Sequence, residues 1–449
     1  MTDEVSNDLL ERAASLVGAA RKAGADTADV LVVRSQSLGV SWRLGKLEDV
    51  ERSESTDLGL RVMIGQRQAN ISSTDLNPQR FAELAERAVA MAKLAPEDPY
   101  CGLADKALLA TAIPDLDLDD HAPPSPEWLT EQAATAEDAA LAVKGVTNSE
   151  GAGASWSHGA VALATSDGFA GSYGGSSYGI GCSVVAGEGT AMERDYEGTS
   201  ARHKSDLEAA AEIGTKAATR AVRRLNPRKI KSVTVPVIYD PRVSNGLISH
   251  FAGAINGSAI ARGVSFLKDM MGEAVFGPAI RIMDDPLRKR GSRSKPFDGE
   301  GVATRAMAFI EGGVLQSWVL DSTAARQLGL TTNGHAARGT GGPPGPSITN
   351  LYLEPGDMSP EALIGEIKAG LYITDLIGMG VNGVTGDYSR GAAGFWIENG
   401  ALAYPVSEIT VASNLKDMFK VLTPANDLVF RYGTNAPTLR IDSMTIAGT

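Results

Sequence analysis

Glycine is the feature that most constrains the fold of this chain. Fifty of its 449 residues are glycine, and they fall in short groups with other turn-forming residues rather than at a strict interval. Glycine adopts backbone conformations that other residues avoid, so such groups are typical of turns. Collagen would instead require glycine at every third position. The pattern therefore predicts a β-rich protein with many turns.

Hydrophobic periodicity adds helices to the first half of the chain. Leu9, Ala13 and Leu16 recur at helical spacing, whereas polar and apolar residues alternate over residues 38–44 and 60–64, as they do in half-buried strands. The second half is mostly strand and turn. We therefore expect an α+β fold, with a mixed N-terminal half of helices and antiparallel strands and a β-dominated C-terminal domain.

The length of the chain predicts two or three domains. A connector near residues 96–125 is rich in proline and aspartate, and a basic segment at 228–231 precedes an apolar strand at 233–239. We place the main boundary there, which gives an N-terminal domain at 1–230 and a C-terminal domain at 231–449.

Charge and cysteine content exclude several classes of function. The net charge of −12 argues against a nucleic-acid interface, which needs a clustered basic face. Two cysteines, Cys101 and Cys182, cannot form a disulfide framework. The N-terminus is acidic rather than signal-like, and no apolar run approaches 18 residues. We therefore expect a cytoplasmic protein that binds neither membranes nor nucleic acid directly.

An acidic group in the connector has the composition of a hard-metal site. A calcium loop that began at Asp115 would need glycine at its sixth position and glutamate at its twelfth, where this chain has Asp120 and Pro126. A solvated acidic linker is the better interpretation. The group comprises Asp115, Asp117, Asp119, Asp120 and His121.

Two glycine motifs match catalytic patterns but lack the required flanks. Gly175–Gly179 matches G-x-S-x-G without the apolar strand and following helix of a nucleophile elbow. Gly378–Gly383 matches G-x-G-x-x-G without the helix that a dinucleotide site needs. We expect neither site.

The five histidines show no pair at metal-ligand spacing, and neither H-E-x-x-H nor C-x-x-C occurs in the sequence. His250 is expected to be a plain helix-face residue.

The basic run from Arg288 to Lys295 is expected to be a mobile surface loop, with docking of an acidic partner as the alternative. Ser205 and Glu208 predict a capping box at the start of a helix, and Asp240 followed by Pro241 predicts the start of another.

Residues 371–413 combine special backbone positions with polar side chains. Asp387 and Arg390 could pair across a turn, and Asn382 could stabilise a turn through its own side chain. The glycines would let the backbone approach a ligand closely, as in the binding of an extended peptide to a sheet edge. Residue chemistry alone slightly favours a structural role.

The same stretch carries a family resemblance. The segment TDLIGMGVNGVTGDYSRGAAGFWIENG, followed by AYPVSEITVASNLKDM, resembles the C-terminal motif of the PmbA/TldE subfamily of the TldD/PmbA metallopeptidase-type family, the so-called modulators of DNA gyrase. SITNLYLEPGD and the strand at 233–239 fit the same pattern. The resemblance implies a two-domain α+β fold and a heteromer in which a TldD-type zinc subunit cleaves unstructured peptides inside an enclosed chamber.

This chain departs from the zinc subunit at the metal ligands. That subunit carries H-E-x-x-x-H on the helix after the boundary strand and a cysteine ligand in the glycine-rich region. When the pattern is anchored on Gly263 and Ser265, Ile248, Ser249 and Gly253 stand where His, Glu and His would be, and the cysteine position falls near Leu376. These residues offer no zinc site, so the resemblance implies a metal-free subunit with no catalytic residues, and zinc in its TldD-type partner.

Three functional hypotheses follow. In the first, the chain completes the peptidase chamber, and Asn382, Asp387, Arg390 and Trp396 line or buttress the chamber or the partner interface. The second is a stand-alone peptide-binding or regulatory protein, which would form a homodimer and have no proteolytic role. The third is a metal-free hydrolase that uses either of two serines, Ser177 or Ser389.

Overall fold

A computed structural model describes the backbone of residues 3–448 and the side chains of residues 7–448. The N-terminal half is built on one antiparallel sheet of six strands, in the order β3-β2-β1-β4-β5-β6. Its strands are β1 (Thr27–Arg43), β2 (Lys46–Ile64), β3 (Arg67–Ser73), β4 (Val146–Thr165), β5 (Ala170–Ala186) and β6 (Glu193–Ala201). Its helices are α1 (Asp3–Lys22), α2 (Phe81–Leu94), α3 (Pro126–Leu141) and α4 (Ala210–Arg223).

The two faces of this sheet have different neighbours because side chains alternate along each strand. Val30 and Val32 of β1 pack in one core with α1 and α2, and Leu38 on the same face packs in a second core with α3 and α4. Leu31 points the other way and packs with Phe297 of the C-terminal half. Four helices therefore cover one face, and the C-terminal half covers one end of the other.

The C-terminal half is dominated by strands, and five of them close a barrel. β16, β15, β14, β7 and β19 are hydrogen-bonded in that order, and β16 also pairs with β19. The strands are β7 (Val233–Tyr239), β8 (Ile282–Asp284), β9 (Met307–Glu311), β10 (Val314–Leu315), β11 (Ala336–Ala337), β12 (Gly345–Pro346), β13 (Leu351–Leu353), β14 (Ala369–Ile377), β15 (Asp387–Glu398), β16 (Ala401–Asn414), β17 (Leu422–Pro424), β18 (Thr434–Asn435) and β19 (Leu439–Ala447). The helices are α5 (Pro241–Ala254), α6 (Gly257–Ala261), α7 (Ser322–Gln327), α8 (Pro360–Gly365) and α9 (Leu415–Lys420). The α+β prediction is confirmed; the domain boundary at 230/231 stays a prediction.

Helix α5 begins where the sequence places an N-cap. The Asp240 side chain accepts a hydrogen bond from the backbone N–H of Arg242, and Pro241 occupies the first turn, where its missing N–H costs nothing. Leu247 and Phe251 are fully buried in the large C-terminal core. The apolar face fixes α5 against the barrel, next to β14.

The connector is more ordered than a solvated linker. Leu116 and Leu118 are buried, and Tyr178 of β5 donates a hydrogen bond to the carbonyl of Ala122 at 2.7 Å. Two apolar side chains thus fix a segment that its proline and aspartate content predicted to be exposed.

The predicted capping box is wrong. Ser205 lies in a short 3-10 turn, and α4 begins only at Ala210 with no side-chain cap. Glu208 instead binds Lys216 and Arg431 as an ion-pair partner.

Buried charges join the two halves. Asp29 of β1 accepts hydrogen bonds from Arg61 of β2 (Nε to Oδ2, 3.0 Å) and from Arg338 of the C-terminal half, and all three side chains are at most 2% exposed. Beside them, a Cβ on Gly59 would lie 2.3 Å from the carbonyl oxygen of Thr340. The absence of a side chain at Gly59 is what permits this close contact.

Within residues 3–448, no helix combines the length and the apolar composition needed to span a membrane.

Candidate functional site

The sequence-predicted ligand positions lie on two adjacent elements. Ile248, Ser249 and Gly253 are on α5, and Leu376 is near the end of β14. Ile248 is fully buried, and Leu376 packs against the same apolar core. The Ser249 hydroxyl donates to the carbonyl of Asn245 at 3.0 Å, one turn earlier in the helix.

This arrangement does not fit a zinc ion. Zinc needs lone-pair ligands, whereas Ile248, Gly253 and Leu376 offer none, and Ser249 has no carboxylate to act as a general base. Among the described residues, no group of three or more His, Cys, Asp or Glu side chains is placed to hold a metal. We therefore derive no chemical step through a metal in this chain.

One histidine lies beside these positions. The His250 ring is 6.1 Å from that of Tyr388, edge to face. Burial lowers the pKa of His250, and the charge of Arg390 lowers it further by a smaller amount. Burial raises the pKa of Tyr388. At neutral pH both rings are therefore uncharged, and Tyr388 is itself buried, so the pair is not an ionic centre.

The loop after β14 is held by Asn382, as predicted for a turn residue. Its Oδ1 accepts from the backbone N–H of Val384 at 2.9 Å, and its backbone N–H donates to the carbonyl of Asp387 at 2.9 Å. The glycine-rich segment thus joins two antiparallel strands, β14 and β15, with no helix after it. The segment Gly378–Gly383, which matches the dinucleotide-binding motif, is therefore part of a loop between two strands.

The predicted pairing of Asp387 with Arg390 is wrong. Asp387 accepts from the hydroxyl of Thr385 at 2.6 Å and from Nδ2 of Asn414 at 3.1 Å. Arg390 donates through Nε to the carbonyl of Ile377 at 3.3 Å. The two residues lie three positions apart on β15, so their side chains leave opposite faces of the strand.

The loop presents apolar side chains to solvent. Met379 is 93% exposed, Ile377 is 65% exposed and Val384 is 56% exposed. Trp396, further along β15, is half-buried against the C-terminal core. Of the four predicted wall residues, Asn382 and Asp387 are exposed, and Arg390 is half-buried.

The acidic group of the connector binds histidines and an arginine. Asp119 Oδ2 lies 3.0 Å from His158 Nε2, and His203 Nε2 lies 3.2 Å from Asp117 Oδ1. Asp117 also accepts from Arg290 at 2.6 Å. These side chains therefore tie the connector to the first sheet and to the basic run.

The basic run is consequently a structured segment rather than a free loop. Arg290 also binds Asp206 at 2.9 Å, and Lys295 donates to the carbonyl of Ala336 at 2.8 Å. The guanidinium of Arg288 lies 3.5 Å from the ring centre of Phe430. The partners of these cations could not be predicted from the sequence, because Asp206 and Phe430 are distant along the chain.

The two predicted serine nucleophiles are on different sheets. Ser177 lies in the middle of β5, within the G-x-S-x-G match, and Ser389 lies on β15, where it is exposed. Neither follows the strand-to-helix turn that makes a nucleophile elbow.

Sequence reasoning missed a groove between the two halves. On the sheet face away from the helices, Gly153, Gly181 and Gly198 lie side by side on β4, β5 and β6. A cavity of about 720 Å³ lies over this floor and adjoins one of about 510 Å³ beside the basic run. The alternation of glycine or serine with apolar residues along β4 and β5 was the available signal.

Comparison with known proteins identifies the family. Models of the PmbA/TldA metallopeptidase match residues 28–92 (domain 1), 119–225 (central domain) and 232–448 (C-terminal domain). The chain belongs to the PmbA/TldD metallopeptidase family. The match extends from β1 to the last strand of the barrel, so the whole architecture is that of the family.

Individual relatives cover nearly the whole chain. It is 40% identical to the Metalloprotease PmbA of Escherichia coli O157:H7 over 99% of this chain and 97% of that protein. It is 39% identical to the Metalloprotease PmbA homolog of Haemophilus influenzae, over 98% and 96%. The resemblance seen in the sequence is therefore confirmed.

Solved structures of the family share the fold. A protein from Bacteroides thetaiotaomicron, titled a modulator of DNA gyrase, superposes with a TM-score of 0.90 at 27% identity, over 98% of each chain. TldE from Thermococcus kodakarensis superposes with a TM-score of 0.88 at 22% identity, over 97% of this chain and 100% of that one. The second likeness is one of fold alone.

Proposed function

We propose that this chain is the metal-free, PmbA/TldE-type subunit of a heteromeric TldD/PmbA metallopeptidase that hydrolyses unstructured peptides. The observation that carries the proposal is the aliphatic chemistry of the ligand positions. Ile248 and Leu376 belong to an apolar core in a family named for its metalloprotease activity. A TldD-type partner would supply the zinc, the nucleophilic water and the general base.

In this role the chain contributes walls rather than reacting groups. The α5 and β14 surface, with His250, would face the chamber, and the loop held by Asn382 would contact the partner. Asp387 and Arg390 fix the two ends of that loop through their hydrogen bonds. We place the complex in the cytoplasm, where unpaired thiols such as Cys101 stay reduced.

The test is to purify the chain alone and together with a TldD-type partner, and to measure zinc content and cleavage of a disordered peptide. We expect substoichiometric zinc and no cleavage by the lone chain, and cleavage by the heteromer. Stoichiometric zinc in the lone chain, or full activity without the partner, would contradict the proposal.

Two further measurements separate the alternatives. Failure to co-elute with a TldD-type partner from the same cell would favour a stand-alone peptide-binding homodimer. Loss of a lone-chain peptidase activity in Ser177→Ala or Ser389→Ala would favour the metal-free hydrolase.

A further inference from the structure

The cavity of about 510 Å³ beside the basic run is strongly electropositive. Five cationic residues and one acidic residue line it, in a protein whose net charge is −12. They are Arg202, Arg288, Lys289, Arg290, Arg431 and Asp206. Such a local excess attracts anions because low-dielectric walls focus the field into the cleft.

Two of these cations are already neutralised. Arg290 binds Asp117 and Asp206, and Arg431 bridges to Glu197 at 3.4 Å. Within the part of the chain that the structure describes, the other three have no carboxylate at salt-bridge distance. Arg202, Arg288 and Lys289 therefore carry the unbalanced charge.

Arg202 is the clearest example of a cation without an anionic partner, because all its hydrogen bonds go to carbonyl groups. Its Nε donates to Gly291 at 3.2 Å, its Nη1 to Ser176 at 3.1 Å and its Nη2 to Ser292 at 2.5 Å. These bonds fix the basic run on the edge of the sheet but leave the positive charge uncompensated. Burial lowers the pKa of Arg202, which an anion nearby would offset.

The adjoining cavity of about 720 Å³ extends this site over the glycine floor. The two cavities share Ser200, Asp206 and residues 430–432 in their linings. The floor has no side chains at its centre, and the exposed rings of Tyr196 and Tyr432 stand at its rim, 56% and 44% exposed. An extended chain can lie flat on such a floor while the rings contact its side chains.

Strand addition at the adjacent edge of β6 is disfavoured. The outward N–H groups of Tyr196 and Gly198 are bound by the carboxylates of Asp195 and Glu197, at 2.8 and 3.0 Å. Arg242 donates to the carbonyl of Tyr196 at 3.3 Å. Occupied edge groups cannot pair with an incoming strand, so a ligand would lie over the sheet face rather than along its edge.

We propose that this groove binds an extended peptide through its carboxylates, with Arg202, Arg288 and Lys289 as the anion-binding end. The inference rests on the proposed function and adds the class of peptide that this subunit holds. Nucleic acid fits less well, since the unpaired cations are confined to one end of the groove, whereas a phosphate backbone needs an extended basic face.

The experiment measures binding of fluorescein-labelled twelve-residue peptides to the full chain by fluorescence polarisation at two salt concentrations. One peptide contains four Asp or Glu residues, and a second has Asn or Gln at those positions; each is made with a free and with an amidated C-terminus. We expect the acidic peptide to bind about tenfold more tightly, and the difference to shrink at high salt.

The four peptides distinguish the two sources of carboxylate. If the neutral peptide binds only with a free C-terminus, the site recognises a terminal carboxylate; if the acidic peptide binds more tightly than the neutral one whether or not the C-terminus is amidated, it recognises acidic side chains. Equal binding of acidic and neutral amidated peptides, together with no effect of the free terminus, would overturn the proposal.

The matched variants are R288Q/K289Q in the groove and R87Q/K93Q on α2, where both residues are exposed. Each pair removes two positive charges. We expect the first to weaken acidic-peptide binding about tenfold and the second to leave it within twofold. Equal affinity of the two variants, or tighter binding of a single-stranded dodecanucleotide than of the acidic peptide, would overturn the proposal. Zinc and cleavage are not measured, so failure here leaves the subunit assignment standing.

Discussion

Among single residues, Asp29 has the most demanding environment, since it is buried between two arginines. Burial alone would raise its pKa, but the charges of Arg338 and Arg61 outweigh this effect and lower it. We predict that Asp29→Asn, which keeps the shape but leaves two buried cations without their anion, lowers the free energy of unfolding by about 3–5 kcal/mol.

Urea denaturation of wild type and variant measures this change. Asp49→Asn is the control, because Asp49 is exposed on β2, and we expect it to shift stability by less than about 0.5 kcal/mol. A loss for Asp29→Asn as small as that of the control would show that the two arginines find other partners.

The raised pKa of the buried Glu300 side chain should make the stability of the protein depend on pH. Burial, and then the charge of Asp298, raise the pKa of Glu300 to about 7. Its Oε2 accepts from the backbone N–H of Ser322 at 2.9 Å, but its Oε1 has no hydrogen-bond partner among the described residues. The folded state therefore binds more protons than the unfolded state between pH 4.5 and 7, so stability should fall as pH rises through that window.

We expect Glu300→Gln to remove the loss of stability that ionisation of Glu300 causes. The variant should therefore be more stable than wild type at pH 8 by on the order of 1–3 kcal/mol and similar to it at pH 4.5. Thermal or urea denaturation at several pH values measures it, with the exposed Glu83→Gln as control. Parallel pH profiles for wild type and Glu300→Gln would contradict the assignment.

At the level of elements, α3 and α4 touch because their facing residues are small. A Cβ on Gly214 of α4 would lie 1.8 Å from the carbonyl oxygen of Ala136 of α3. We predict that Gly214→Ala lowers the free energy of unfolding by about 1–3 kcal/mol, since the helices must move apart. Gly18→Ala in α1, where a Cβ meets nothing within 4 Å, should raise it by about 0.5–1 kcal/mol.

Both glycines lie inside helices, so helix propensity alone predicts the same gain for each substitution. Circular dichroism during denaturation distinguishes the two. Stabilisation of both variants would mean that α3 and α4 do not pack as closely as the structure shows.

The elements that depend on local interactions could be predicted from the sequence, and those that depend on distant contacts could not. Asp240 and Pro241 fixed the start of α5 because an N-cap is a local interaction. The capping box predicted at Ser205 does not form because Glu208 is held by Arg431, over 200 residues away. The antiparallel strands and helices of the N-terminal half, in contrast, could be predicted from periodicity alone. The basic run and the groove could not be predicted, since Arg290 and Arg202 find their partners only through the tertiary fold.

For the whole molecule, the groove and the aliphatic positions of α5 and β14 have different neighbours, although Arg242 in the first turn of α5 also lines the groove. The groove lies where the first sheet meets the basic run and residues 429–432, whereas Leu376 and Ile248 belong to the barrel and its core. A subunit built this way can hold a peptide at one place and complete a chamber at another.

The exposed loop after β14 carries the prediction for assembly. Met379, Ile377 and Val384 are 93%, 65% and 56% exposed in or beside a loop that Asn382 holds in shape, and several large apolar side chains exposed together favour burial by a partner. We predict that Met379→Asp weakens association with a TldD-type subunit at least tenfold, because a carboxylate would be desolvated in the interface.

Analytical ultracentrifugation of mixtures of the two subunits measures this dissociation constant. Leu94→Asp is the matched control, since Leu94 is 87% exposed at the end of α2, away from the loop. It should leave association within twofold of wild type. If both variants associate as wild type does, the partner contacts another surface, and the loop instead faces the chamber; cleavage by the reconstituted Met379→Asp heteromer would then fall while its assembly stays intact.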